Sequence, residues 1–230
     1  MMTTEPPSTH LVVRFAVEGD LRFLSHRDTV RLWQRACIRA QTPVAWTRGF
    51  NPKPRLRLPL PRAVGMAAAR ERLDLRLEEP IAPEELARRL RPHLPAGLNL
   101  GEIHLVKDLE DALCHRARYR LTLAPDAALA RIADRIADFQ AADSWPIVRP
   151  RRGRHPQRTV DLRAAVETIA LRDNAVELTI RTGDQVTPRI EEIRHALGLA
   201  DTTTIQEVRR LDAEFGSSSA MYANDLEDAK

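Results

Sequence analysis

Between Trp46 and Gly65 the chain reads Trp-Thr-Arg-Gly-Phe-Asn-Pro-Lys-Pro-Arg-Leu-Arg-Leu-Pro-Leu-Pro-Arg-Ala-Val-Gly. Its four prolines, Pro52, Pro54, Pro59 and Pro61, exclude a core helix or a central strand there, because each removes a backbone donor and fixes φ. The periodic segments on either side must therefore be separate elements joined across a stiff connector. Gly49 gives the connector access to positive φ, and Asn51-Pro52 reads as a turn with a local side-chain cap. Arg55-Leu56-Arg57-Leu58 alternates with period two, which predicts a strand with arginines on one face and leucines on the other. Lys53, Arg55, Arg57 and Arg62 are then expected to be displayed toward an anionic partner. Trp46, at a strand end, reads as a core residue; the rival role is stacking on a base.

Before the connector, Leu11–Val17 and Leu21–Leu24 read as extended pieces broken at Gly19, either a hairpin or one strand with a bulge. Ser25 and Asp28 match a capping box, and a helix follows to about Gln41 with Val30, Trp33, Ala36, Cys37 and Ala40 on one face. After the connector, Leu73, Leu75 and Leu77 alternate inward with Asp74 and Arg76 outward. Pro83 opens a helix carrying Leu86, Leu90 and Leu94, and Leu98–Val106 reads as a strand. The order is that of a split βαβ unit.

The pattern then repeats. Tyr119, Leu121 and Leu123 mark a strand, and residues 126–140 a helix with Leu129, Ile132, Ile136 and Phe139 inward. Ile147-Val148 starts a short strand. Two strands flank Asp173-Asn174, Thr187-Pro188 opens a helix capped by Gly198, and 204–211 is a last strand candidate. The expected fold is α+β: two tandem ferredoxin-like units with antiparallel sheets, at 11–107 and 115–212. Disordered ends are expected at 1–10 and 213–230. An apolar fraction of 43% supports a core for each unit, and an aromatic fraction of only 4% makes that core mostly aliphatic.

Net charge is +4 and the isoelectric point is about 9.6, which suits an acidic partner such as nucleic acid. A second basic run, Arg149 to Arg158, contains no acid and is expected at the point in the second half that matches the proline-rich connector in the first. Arg48, Asn51, Lys53, Arg55 and Arg57, with Arg151, Arg152 and Arg154, are the candidate nucleic-acid contacts. Phe50 and Leu58 are the candidates for docking on a protein partner. Cys37 and Cys114 lack metal-ligand spacing, and the histidines are scattered, so neither a metal nor a cofactor is expected. His26 is the one candidate general base, the basis of an alternative reading as an RNA endonuclease. No apolar run reaches membrane-spanning length and the first ten residues are polar, so a cytoplasmic protein without a membrane role is expected.

Three blocks carry a family resemblance: Gly19–Asp28, Gly49–Leu56, and Thr159-Val160-Asp161-Leu162-Arg163. Together they resemble a bacterial family of radical-SAM-associated proteins classed as a domain of unknown function. The resemblance covers about residues 10–212. It implies a radical SAM protein as partner and a link to RNA metabolism, and it supplies no catalytic residues. The chain departs from the family pattern at Arg27 and Arg57, which makes its surface more basic. The expected role is a non-catalytic accessory protein that binds RNA through two basic loops. The alternatives are a module that only docks on the radical SAM partner, and the endonuclease built on His26.

Overall fold

A computed structural model of the chain describes residues 9–106, 113–149, 157–182, 187–199 and 204–216. These fall into two compact units that divide between Leu113 and Cys114. The fold is α+β and every strand pairing given below with its register is antiparallel.

In the first unit, β1 (Thr9–Val17) is followed by a 3-10 turn (Gly19–Phe23) and α1 (His26–Arg39). Then come β2 (Leu56–Arg57), β3 (Met66–Leu77), α2 (Pro83–Leu90) and β4 (Leu98–Val106). The strands lie in the order β4-β1-β3-β2. Leu11, Val13, Phe15 and Val17 of β1 and Leu73, Leu75 and Leu77 of β3 share one face, as period two requires. Trp33, Ala36 and Cys37 of α1 and Leu86 and Leu90 of α2 pack on that face. Phe15 meets Trp33 edge-on at 5.0 Å between ring centres. Burial pushes the Cys37 thiol up to about 12, so it acts as a small apolar residue.

Several sequence expectations change here. Leu21–Phe23 is part of a 3-10 turn and not a strand, because Gly19 turns the chain at φ +56° and Leu24 N–H closes back on the Leu21 carbonyl at 3.1 Å. Asp74, expected outward, is 1% exposed. The expected strand Arg55–Leu58 shrinks to the two residues of β2.

The second unit runs β5 (Leu113–Leu123), α3 (Leu129–Ala141), β6 (Pro146–Arg149), β7 (Arg158–Asp161), α4 (Leu162–Ala165), β8 (Val166–Arg172), β9 (Ala175–Arg181), α5 (Ile190–Ala196) and β10 (Ile205–Gly216). Its main strands lie in the order β10-β5-β9-β8. Strands β6 and β7 form a separate ribbon, with Arg149 opposite Arg158. Arg149 and Arg158, the two ends of the second basic run, thus pair in this ribbon, which lies between α3 and β8; residues 150–156 of the run lie outside the described residues. Ile132, Ile136 and Phe139 of α3 are buried as expected, whereas Leu129, in its first turn, is exposed. Asp173 opens the β8–β9 hairpin at φ +50°. Strand β10 continues to Gly216, into the stretch expected to be a disordered tail.

Candidate functional site: a cationic finger with an aromatic tip

The connector of the first unit is a finger. Val44 lies opposite Leu77 at the end of β3, and Ala45 N–H donates to the Arg76 carbonyl at 2.8 Å. The chain leaves the sheet at Trp46, turns through residues 47–53 and returns at Pro54, which lies opposite Trp46. The neck is closed three times. Arg55 N–H donates to the Ala45 carbonyl at 2.6 Å, Thr47 N–H to the Lys53 carbonyl at 2.9 Å, and Lys53 N–H to Thr47 Oγ1 at 3.0 Å. Gly49 makes the turn at φ +127°, a conformation that side chains rarely adopt.

Phe50 stands at the tip, fully exposed. An aromatic ring placed wholly in water sacrifices the burial that normally holds such a side chain in a fold. Arg48, Asn51 and Lys53 beside it are exposed, and Arg55 is half-buried at the neck. The Lys53 and Arg55 side chains make no ion pair among the described residues. Trp46 is 41% exposed, so it is a surface residue at the base of the finger and not the core residue its strand-end position suggested.

The remaining expected contacts of this segment are committed to the fold. Arg57 donates to Asp74 Oδ2 from Nε at 3.3 Å and from a terminal nitrogen at 3.1 Å. Arg72 holds the other oxygen at 2.5 Å. One buried carboxylate is thereby met by two cations, which is what makes its burial tolerable. Arg62, expected on display, is buried and donates to the carbonyls of Arg22 at 2.8 Å, Leu21 at 3.3 Å and Met66. Gly65 N–H also donates to the Arg22 carbonyl at 2.8 Å. The far end of the connector is thus pinned to the 3-10 turn. Leu58, expected on a docking surface, is 9% exposed and packs in the core. Sequence pattern missed an apolar spot beside this latch: Phe23 and Val64 are both exposed, with Phe23 under the Arg22 guanidinium at 4.9 Å.

His26 begins α1, where Ser25 Oγ accepts from Asp28 N–H at 3.2 Å and donates to Asp28 Oδ2 at 2.6 Å. Arg31 donates to Asp28 Oδ1 at 3.3 Å. The bond from Ser25 holds the Asp28 carboxyl below its ordinary value, with the nearby arginines adding to the effect. These groups serve the helix start.

On the ribbon, Arg149 donates to Glu192 at 2.6 and 2.7 Å and to the Thr187 carbonyl at 2.7 Å. Arg151, Arg152 and Arg154 lie outside the described residues. Among the described residues no group of histidine, cysteine and carboxylate side chains could hold a metal ion, and no helix is long and apolar enough to cross a membrane.

Residues 10–190 match the family described as an uncharacterized protein conserved in bacteria (DUF2344). The chain belongs to that family. The matched stretch begins in β1 and ends at the first residue of α5, so it includes the whole finger and the Thr159–Arg163 block. No curated protein matches the chain.

Proposed function

We propose that the chain is a non-catalytic accessory protein that binds RNA through the finger, with Arg48, Asn51, Lys53 and Arg55 as contacts and Phe50 as a stacking platform. One observation carries this reading: a fully exposed phenylalanine at the tip of a closed, cation-bearing loop. Base stacking and phosphate neutralisation are the two terms that bind single-stranded nucleic acid, and both side-chain types project here from a stiff base. Arg151, Arg152 and Arg154, which lie outside the described residues, are proposed as further RNA contacts. Arg57 is left out of the contact set because Asp74 holds it. The strand orders β4-β1-β3-β2 and β10-β5-β9-β8 support reading both units as ferredoxin-like, with the β6–β7 ribbon as an insertion. Sheets of that type often bind RNA, which adds support by analogy alone. The radical SAM partner and the cytoplasmic location rest on the resemblance and on the composition described above.

Fluorescence anisotropy with bulk tRNA at two salt concentrations tests the reading. Binding that weakens with salt and is lost in Lys53→Glu/Arg55→Glu is the expected result. Absence of binding, or binding indifferent to salt, removes RNA as the ligand.

The exposed Phe23 and Val64 favour a second reading, a protein-docking module. A pull-down with the radical SAM partner separates the two. If Phe50→Ala or Phe23→Ala abolishes capture and the charge reversals do not, docking is the function.

A further inference from the structure

The Thr159–Arg163 block has no part in the finger. It builds a different feature in the second unit. Asp161 accepts from Trp145 N–H, Ser144 Oγ and Arg163 N–H, each at 2.9 Å. These bonds hold its carboxyl below the ordinary value, with the Trp145 amide the largest influence. They also fix the start of the short α4 against the segment that follows α3. Arg163 is thereby set in the wall of a cleft of about 440 Å³, beside Gln140, Asp143, Val166, Glu167 and Arg181.

A cleft of this size lies in the range that accepts small molecules, but most such sites are lined by apolar side chains. This one is lined mainly by charged and amide groups, so it suits a polar ligand. Its charges are not used alike. Glu167 accepts from Arg116 at 2.7 Å and from Arg181 at 3.2 Å, so its charge is met twice. Gln140 donates its amide to the Ile169 carbonyl at 2.8 Å, which leaves its side-chain oxygen as an acceptor. Arg163 donates one terminal nitrogen to the Val166 carbonyl at 3.3 Å. It faces no carboxylate among the described residues, and its Nε is buried without an acceptor. The buried Nε is out of a ligand's reach, but a guanidinium in the cleft wall that faces no carboxylate can have its charge met from the cleft through its terminal nitrogens.

We propose that this cleft is an oxyanion site. Its ligand is a small polar molecule bearing a phosphate or a carboxylate, which meets the Arg163 charge from the cleft, with Arg181 as the second cation. The guanidinium fork matches two oxygens of either group, and the Gln140 oxygen and Asp143 can accept from donors elsewhere on the ligand. The site belongs to the second unit and stands or falls separately from RNA binding by the finger.

A thermal-shift titration of the full chain with inorganic phosphate, and in a second arm with acetate, tests it at ionic strength held constant with chloride. A saturable rise in Tm with one or both anions is expected, and the arm that saturates at lower concentration names the group. Arg163→Lys keeps the charge but loses the fork, and should raise the half-saturating concentration about tenfold or more. Arg181→Gln, at an exposed position, should raise it by less. No saturable shift with either anion, or the same half-saturation in Arg163→Lys as in the parent, overturns the proposal. If Arg163→Lys does not fold by circular dichroism, Arg181→Gln decides, and an unchanged half-saturation there is equally fatal.

Discussion

Lys53 and Arg149 each belong to a basic segment, in the first and second unit respectively. Lys53 spends only its backbone on the fold: its amide and carbonyl both bond to Thr47, and its ammonium group is exposed. Arg149 spends its side chain, which is 17% exposed, with the guanidinium clamped on Glu192 and the Thr187 carbonyl. Arg57 behaves like Arg149, on Asp74. A basic run in a sequence is therefore a count of charges and not of available charges. The carboxylate that claims each of these two arginines is distant along the chain, 43 residues away for Arg149 and 17 for Arg57.

If that contrast is right, the largest effects should come from the claimed cations' partners and should appear as lost stability. Asp74→Ala leaves Arg57 and Arg72 without their shared carboxylate and should cost about 3 kcal/mol or more in urea unfolding of the full chain. A cost below about 0.5 kcal/mol, the size of an ordinary surface change, would break the contrast on the Arg57 side.

Next in size, Phe50→Ala should leave stability within about 0.5 kcal/mol. It should still weaken tRNA binding by about 1–3 kcal/mol in the anisotropy assay, the worth of one stacked base. A stability loss with no binding loss would move Phe50 to the structural side of the comparison.

The ribbon anchor should show itself in acid. Burial alone would raise the Glu192 carboxyl, but the bonds from Arg149 and the Arg189 amide outweigh it and hold the folded value low. A carboxyl with a depressed folded value stabilises fully above its unfolded value of about 4.3 and loses that contribution as pH falls through the folded one. In Glu192→Gln, stability at neutral pH should drop by about 1–2 kcal/mol, and the difference from the parent should shrink below about pH 4. A constant difference from neutral pH to pH 3 would contradict the anchor.

The smallest effect separates the two basic segments as ligand contacts. If Arg48, Lys53 and Arg55 act together with Arg151, Arg152 and Arg154, the log–log salt slope for single-stranded RNA should be about −4, at roughly −0.7 for each neutralised phosphate. Replacing the last three with alanine should reduce it to about −2. An unchanged slope would leave the finger as the whole of the contact.

Much of the scaffold was legible in the residues. The inward leucines of β3, the capping serine of α1, Pro83 at the head of α2 and the Asp173-Asn174 hairpin all follow from local rules, since periodicity and capping act within a few residues. The finger's limits were legible too, because prolines and Gly49 restrict the chain whatever surrounds it. What those rules cannot carry is the fate of a side chain that meets a distant partner. Asp74 falls on the outward period, yet Arg57 and Arg72 neutralise it and permit its burial. Arg62 stands in a basic connector whose pattern predicts display, yet backbone carbonyls of the Leu21–Arg22 turn take it inside. Trp46 stands at a strand end that predicts a core ring, yet the finger begins where the sheet ends and leaves the ring at the surface. Local sequence determined the elements and the stiff loop between them. Tertiary structure alone decided which charges and aromatic rings remained available, because exposure and ion pairing depend on groups that chain folding, not chain proximity, brings together.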